Sequence, residues 1–506
     1  LTDTSDIPAH VTALLNPAIY PHPVERVEML QTHISWVFLA GNYVYKLKKP
    51  VNFGFLDFST LELRRHYCER ELTLNRRFAA PLYLAVLPLC RSDGAYRLDM
   101  DAANECEIID YCLQMTRFDQ SDLLDNRLAQ GAFDPGWMDM LARDVAAFHA
   151  DAEINRTPGF DPGALLAEHI RANLAVAAEH VGATVSAADL AALNAFADSE
   201  LANRRADLQQ RRRDGHIRRC HGDLHLRNIA LYNGHPMLFD CIEFNDTFNM
   251  IDTINDVAFL VMDCDARDRP DLGFRFLSRY LERCGDYGGL SLLPLYLFYR
   301  AGVRGKVACM LADELSEPAA QLSEAGRYFS LALDYARRPK PALFVIGGLS
   351  GSGKSHLALL GCRRERAVII RSDTTRKRIA GSYPELALYG EQMHAHTYAA
   401  MFDAARSALK AGCPVILDAT FLNPVMRRQA YDLARNCGAP LHFYWLEIDS
   451  VRLTANIRQR QQRGNDISDA DLSVLRRQLA GYATPVETWI RRLHRSDCWP
   501  ATPARP

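Results

Sequence analysis

Residues 344–360 read FVIGGLSGSGKSHLALL, in which Gly348, Gly353, Lys354 and Ser355 stand at the spacing G-x-x-x-x-G-K-S. Such a segment can hold phosphate. Backbone N–H groups from Gly351 to Ser355 surround an anion with no side chains in the way, and the N-terminus of the next helix adds its dipole. Lys354 would reach the β- and γ-phosphates, and the Ser355 hydroxyl would hold Mg²⁺. The expected nucleotide contacts are therefore Gly348, Gly351, Ser352, Gly353, Lys354, Ser355 and His356, with ATP and Mg²⁺ as the expected cofactors. The flanks agree, because FVIG is strand-like and SHLALL opens a helix.

Two carboxylates follow strand-like runs nearby: Asp373 after AVIIRS and Asp418 after PVIL. Asp373 is assigned as the base for an acceptor hydroxyl, and Asp418 as the group that helps order Mg²⁺. Downstream, Arg458, Arg460 and Arg463 stand in NIRQRQQRG. They do not share one narrow helix face, but a mobile lid could close them over phosphates during transfer. A second set of reactive types occupies 220–244, CHGDLHLRNIALYNGHPMLFDCIEF. A carboxylate, an amide five residues later and a second carboxylate beyond a hairpin are parts needed for phosphoryl transfer. Asp223 is the expected base there, and Asn228 and Asp240 the expected Mg²⁺ ligands. Zinc ligation by His221, Asp223 and His225 is the less favoured alternative.

Several elements must position these groups. Residues 34–48 alternate in character, with Gly41-Asn42 as a turn between two strands. Residues 60–77 repeat apolar positions at helical spacing. Strands are expected at 83–89 and 107–115, and helices at 137–150, 164–179 and 187–213. A strand-rich piece followed by a helix-rich piece suggests two lobes. From 343 onward strands and helices alternate, with Asp373 and Asp418 at carboxyl ends of strands, as in a βαβ series. The segment YARRPKPA at 335–342 reads as a linker, because its prolines bias against a continuing helix. The expected domains are 1–337, with lobes of about 25–116 and 117–337, and 341–506.

Length and composition set the outer limits. A chain of 506 residues favours two or three domains. A net charge of -2 argues against a large nucleic-acid footprint. The 13 cysteines show no C-x-x-C and no zinc-ligand spacing, which fits a reducing compartment. LTDTSDIPAH has no basic region followed by an apolar one, and no apolar run approaches the length of a membrane span. A cytoplasmic protein with no membrane partner is expected. The sequence sets no oligomeric state. Only eight lysines occur, Lys46 and Lys354 among them.

The segment 341–500 resembles the small P-loop kinases, among them gluconate kinase, zeta-toxin sugar kinases and the kinase module of polynucleotide repair enzymes. GLSGSGKS (348–355), RSDTTRKR (371–378) and the basic lid segment carry the resemblance. It implies that Asp373 faces the acceptor hydroxyl and that Arg376 holds the acceptor or its phosphate. HGDLHLRN (221–228) and Asp240 in LFDCIEF resemble the aminoglycoside phosphotransferase and choline kinase group. That resemblance implies a two-lobed α+β protein-kinase-like domain, here followed by an α/β P-loop domain with a central parallel sheet. It also implies a strand lysine paired with a helix glutamate. Lys46 in YVYKLKKP, with Lys48 as rival, and Glu71, with Glu69 and Glu62 behind it, fit those places. DTINDVA supplies Asp256 for the acidic residue that braces the catalytic loop in that group, with Asp252 before it. No G-x-G-x-x-G precedes Lys46.

The whole chain resembles bacterial proteins that join these two domains and are often called AAA ATPases. The absence of a sensor or arginine-finger segment after Asp418 favours a kinase over an ATPase of that class. The expected function is a bifunctional ATP- and Mg²⁺-dependent phosphotransferase with small hydroxyl-bearing acceptors, sugar-like ones first. Polynucleotide 5′-hydroxyl phosphorylation and a nucleotide-gated regulator with a degenerate first domain are the alternatives. The arginine-rich stretches favour nucleic acid slightly, but no aromatic–basic interleaving accompanies them.

Overall fold

The computed structural model describes residues 7–98, 106–337, 341–463 and 471–500, with the backbone alone at 463. The expected linker at 335–342 therefore falls partly outside the described residues, and the helix before it runs over Ala319–Ala336. The chain divides into two compact units. One holds Leu1–Trp137, Asp151–Asn155 and Ile217–Ile251; the other holds Met138–Ala150, Arg156–His216 and Asp252–Pro506.

The first unit is built on a six-stranded sheet in the order β1-β2-β3-β6-β4-β5. Its strands are β1 (Val27–Gln31), β2 (Ser35–Ala40), β3 (Tyr43–Lys48), β4 (Tyr83–Ser92), β5 (Ala95–Leu98) and β6 (Glu107–Thr116). All its neighbouring pairs are antiparallel. The alternation read at 34–48 becomes β2 and β3, turned at Gly41 with φ 59°. A strand's period of two puts Lys46 and Lys48 on one face. The helix Leu61–Ala79 packs on β4 and β6. Its hydrophilic sequence still has a buried stripe, which includes Arg64, Cys68, Glu71, Asn75 and Ala79 at helical spacing. That stripe carries Glu71 inward. Thr60 caps the helix, its Oγ1 accepting from the Leu63 N–H at 3.3 Å. Trp36, Phe38, Tyr45, Leu47, Leu89 and Cys112 form the core beneath the sheet.

After the short strand β7 (Ile217–Arg219) comes the loop with Asp223, then the hairpin of β8 (Ile229–Tyr232) and β9 (His235–Leu238). Asn233 and Gly234 turn the hairpin with φ of 51° and 76°, the left-handed pair that a two-residue turn demands. The chain passes Asp240 and reaches β10 (Met250–Asp252).

The second unit contains long helices and a five-stranded sheet in the order β12-β13-β11-β14-β15. These strands are β11 (Leu343–Gly348), β12 (Val368–Arg371), β13 (Val415–Asp418), β14 (Leu441–Leu446) and β15 (Ile490–Leu493), all parallel to their neighbours. The chain is thus an α+β lobe with an antiparallel sheet followed by an α/β domain with a parallel one. Two details differ from the sequence expectation. The helical stretch at 187–213 breaks at Arg204 into Ala187–Asn203 and Arg205–Arg213. Strands β1, β5 and β15 are additional; each lies at a sheet edge, where partial exposure removes the apolar signal.

Strand β12 is also an edge, and edge strands must be covered or blunted. The helix Pro270–Cys284 packs on it. Ser278 Oγ accepts the buried Ile369 N–H at 3.0 Å. Among the described residues no helix is long and apolar enough to cross a membrane. Ser278→Ala would leave the Ile369 N–H buried without this acceptor. Urea unfolding is expected to show a loss of about 1–3 kcal/mol, the usual penalty for such a group, with the slope of the transition unchanged.

Candidate active sites

In the first unit the β3 lysines and the buried Glu71 form one charge network. Lys46 Nζ donates to Glu71 Oε1 at 2.9 Å and to Asp240 Oδ1 at 2.8 Å. Lys48 Nζ donates to Glu71 Oε2 at 2.7 Å and to Glu243. Both lysines therefore share Glu71, which separates Lys46 from its rival only by position. The Lys46 side chain is 15% exposed and reaches Asp240, whereas that of Lys48 is 1% exposed. Lys46 is the lysine on the open side. Glu69 pairs instead with Arg65, and Glu62 lies in the first turn of its helix. Glu243 was not singled out from sequence. Its signal was a second carboxylate three residues after Asp240.

Asp223 and Asn228 meet directly. Asn228 Nδ2 donates to Asp223 O at 3.0 Å and to Asp223 Oδ2 at 2.8 Å, which leaves the amide oxygen of Asn228 for a cation. His225 Nε2 lies 3.3 Å from Asp223 Oδ2. His221 Nε2 is 3.0 Å from the Phe239 carbonyl oxygen, which ties the loop to the residue before Asp240. Asp240 has φ 59°, strained for a residue with a side chain, and its N–H donates to the buried Tyr83 hydroxyl at 2.9 Å. Asp256 belongs to the second unit, where its Oδ2 lies 3.1 Å from His149 Nε2.

The second unit holds a cavity of about 720 Å³ at the carboxyl end of the parallel sheet. Gly351, Gly353, Lys354, Ser355 and His356 line it with Asp373, Arg376, Asp418 and Arg460. Gly351 and Gly353 adopt φ of 82° and 89°. A Cβ at Gly351 would lie 2.8 Å from the Leu453 carbonyl oxygen, and one at Gly353 would strike Ser496. Only glycine allows the loop to close there. Lys354 Nζ donates to the Gly348 and Leu349 carbonyls at 3.0 and 2.9 Å, arching back over the loop. The Ser355 hydroxyl donates to Asp418 Oδ2 at 2.7 Å. Arg376 Nη1 donates to Asp373 Oδ1 at 3.1 Å, and its guanidinium lies 5.2 Å from the Tyr389 ring centre.

The basic segment becomes the helix Ser450–Arg463. It turns Arg460 into the cavity and leaves Arg458 exposed, while the side chain of Arg463 lies outside the described residues. The same helix donates Asn456 Nδ2 to the Gly351 carbonyl at 2.8 Å, and Gln478 Oε1 accepts the Ser350 N–H at 2.9 Å. Sequence reasoning missed Asn456, Arg477 and Gln478, together with Arg371, His394 and Tyr398, all of which line the cavity.

Burial and charge partners set the electrostatics. Burial opposes the charge on Lys46, yet Asp240 and Glu71 raise it well above an ordinary lysine. Burial also works against an ionised Glu71, but Lys46 and Lys48 hold its carboxyl down to about 2. Burial dominates at Glu243, raising it despite Lys48. In the cavity, burial lowers Lys354 against the pull of Asp418 and Asp373, and raises Asp418 against Lys354 and the Ser355 hydrogen bond. These directions suit a site that awaits a polyanion and a cation. The buried Ser352 hydroxyl, which has no hydrogen-bond partner among the described residues, also lies within the phosphate loop. The residues present fit a nucleoside triphosphate with Mg²⁺.

Comparisons with known proteins place these features among relatives. A family model described as an AAA domain matches residues 343–485. An uncharacterized protein of Mycobacterium tuberculosis is 34% identical over 427 residues, covering 82% of this chain and 82% of its own. One from Mycobacterium bovis matches with the same identity and coverage. Among solved structures, a choline/ethanolamine kinase family protein from Mesorhizobium loti is 13% identical, covering 65% of this chain and 98% of its own at a TM-score of 0.39. A gluconokinase from Sinorhizobium meliloti is 20% identical, covering 31% of this chain and 83% of its own at a TM-score of 0.24.

The Glu71 network makes a pH-dependent stability contribution with a defined sign. Its carboxyl is depressed in the folded state, so the stabilisation is present above the ordinary glutamate value of about 4.3. It is lost as the pH falls toward about 2. Glu71→Gln should cost about 3 kcal/mol at neutral pH, as expected for breaking a buried pair. Chemical denaturation across pH should show the gap between variant and wild type closing below that ordinary value.

Proposed function

Because the chain belongs to the family of these mycobacterial proteins, with a kinase-like fold joined to a P-loop domain, we propose a bifunctional ATP- and Mg²⁺-dependent phosphotransferase. Its acceptors are small hydroxyl-bearing molecules, sugar-like compounds first among them. One observation carries the reading: Lys354, Ser355, Asp373 and Asp418 line a single cavity of about 720 Å³. That is a size suited to small molecules, and Asp373 adds a carboxylate to the lining beside the phosphate loop.

At this site the loop N–H groups and Lys354 bind the phosphates of ATP. Mg²⁺ on Ser355 and Asp418, when bound, neutralises charge that develops on the phosphate oxygens. Asp373 orients the acceptor hydroxyl and takes its proton as the oxygen attacks. Arg376, held by Asp373 and stacked on Tyr389, fixes the acceptor. Arg460, from the helix Ser450–Arg463, faces the phosphates, with Arg458 and Arg463 on the same lid element. At the first site Lys46, oriented by Glu71, would bind phosphate; Asn228 and Asp240 would hold Mg²⁺; Asp223 would be the base. The domains divide at 335–342 in this reading, and the thirteen cysteines, which form no disulfide, suit the reducing cytoplasm.

An acceptor screen with labelled ATP on Asp223→Asn and Asp373→Asn variants tests the reading. Asp373→Asn should keep MgATP affinity within a few fold and lower transfer at the P-loop site by about 10²–10⁴, the worth of a positioned general base. Unchanged product formation in Asp373→Asn, with loss in Asp418→Asn, would reverse the two carboxylates. An ATP-competent protein that phosphorylates no hydroxyl compound would sink the kinase reading.

A further inference from the structure

The acceptor side of the P-loop cavity has a support that lies outside the P-loop fold. Arg371 ends β12 and lines the cavity beside Asp373 and Asp418. Its Nε and Nη2 donate to Glu282 Oε1 and Oε2, each at 2.5 Å. Glu282 lies 89 residues earlier, buried on the helix Pro270–Cys284. Glu282 Oε2 also accepts from Arg279 Nη1 at 3.0 Å, and Arg279 Nε donates to Asp139 Oδ1 at 3.2 Å. Glu282 is therefore held from two sides, and its two-point bond fixes the plane of the Arg371 guanidinium. Nη1 is the remaining edge, with no hydrogen-bond partner among the described residues.

Stability alone does not explain this pair. Buried ion pairs often stabilise no better than packed apolar side chains of equal volume. Burial opposes the charge on Glu282, yet Arg371 keeps its carboxyl below the ordinary range, so both partners are ionised. The location supplies a use. Arg371 pairs in register with Asp418, whose carboxylate accepts from Ser355. A phosphoryl group in flight spreads negative charge over its equatorial oxygens, and a fixed guanidinium at that place stabilises it without having to reorganise.

We propose that Arg371 is a further catalytic residue of the P-loop site, contacting the phosphoryl group during transfer, and that Glu282 is the positioning residue that aims it. The proposal rests on reading the cavity as a phosphoryl-transfer site. In the step, the bond from acceptor oxygen to γ-phosphorus forms. The bond from γ-phosphorus to the β,γ-bridging oxygen breaks, its electron pair leaving with ADP, and the acceptor proton passes to Asp373. Arg371 exchanges no proton. The P-loop site thereby depends on a helix that lies before the P-loop segment in sequence.

The test is calorimetric titration of the full-length protein with MgADP, with and without aluminium fluoride as mimic of the phosphoryl group in flight. Binding lost in Lys354→Ala reports the P-loop site. Wild type should bind MgADP more tightly with aluminium fluoride. Arg371→Met and Glu282→Gln should lose about 10²-fold of that tightening, the usual effect of removing one such donor, and keep MgADP affinity within a few fold. Glu282→Asp should recover part of it. Ser278→Ala, which disturbs the same helix contact without touching Arg371, should keep all of it. Full tightening in Glu282→Gln, equal losses in Glu282→Gln and Ser278→Ala, or no tightening in wild type would overturn the proposal. No Lys354-dependent MgADP binding would instead overturn the phosphoryl-transfer reading beneath it.

Discussion

In the parallel sheet Ile346 and Arg371 both stand level with Asp418, because β11 and β12 flank β13 in register. Every residue of β11 and β13 is buried, so packing covers both faces of the sheet centre and a slip by one residue would exchange two differently packed faces. Apart from Asp418, the buried residues of β11, β12 and β13 are apolar or glycine, so that register is held by the core. The phosphate loop, Asp418 and Arg371 are therefore delivered to one edge by the hydrophobic effect. The position of the cavity is an outcome of where strands end, the place where open α/β sheets bind ligands.

Burial of charge is the second constraint, met in the same manner at both sites. Lys46 and Lys48 are kept ionised by three carboxylates, Glu71, Asp240 and Glu243. In the cavity Lys354 leans on loop carbonyls, while Asp418 takes the Ser355 proton as a hydrogen bond. Isolated charges in such places would cost several kcal/mol each. Networks of this kind leave each buried charged group satisfied within the protein.

Much of this was legible in the sequence. The alternation in YVYKLK set the face of Lys46, helical spacing set the inward stripe carrying Glu71, and the glycine spacing of the phosphate loop brought its context with it. What escaped depended on distant pairing. Arg371 reads as an ordinary strand-end arginine until Glu282 is beside it, and Glu243 reads as a loop acid until Lys48 reaches it. Asn456 and Gln478 are polar residues on amphipathic helices, where nothing local separates a solvated amide from one that braces a loop. Strand β15, IRRL, has too few apolar positions to announce itself.

Two nucleotide sites on one chain are the centre of the functional reading. The most direct measurement is the stoichiometry of Mg²⁺–AMP-PNP binding to the full-length protein by calorimetry. Two equivalents per chain are expected, with Lys46→Met removing one and Lys354→Ala the other. A single equivalent that both substitutions abolish, or binding that neither substitution changes, would contradict it.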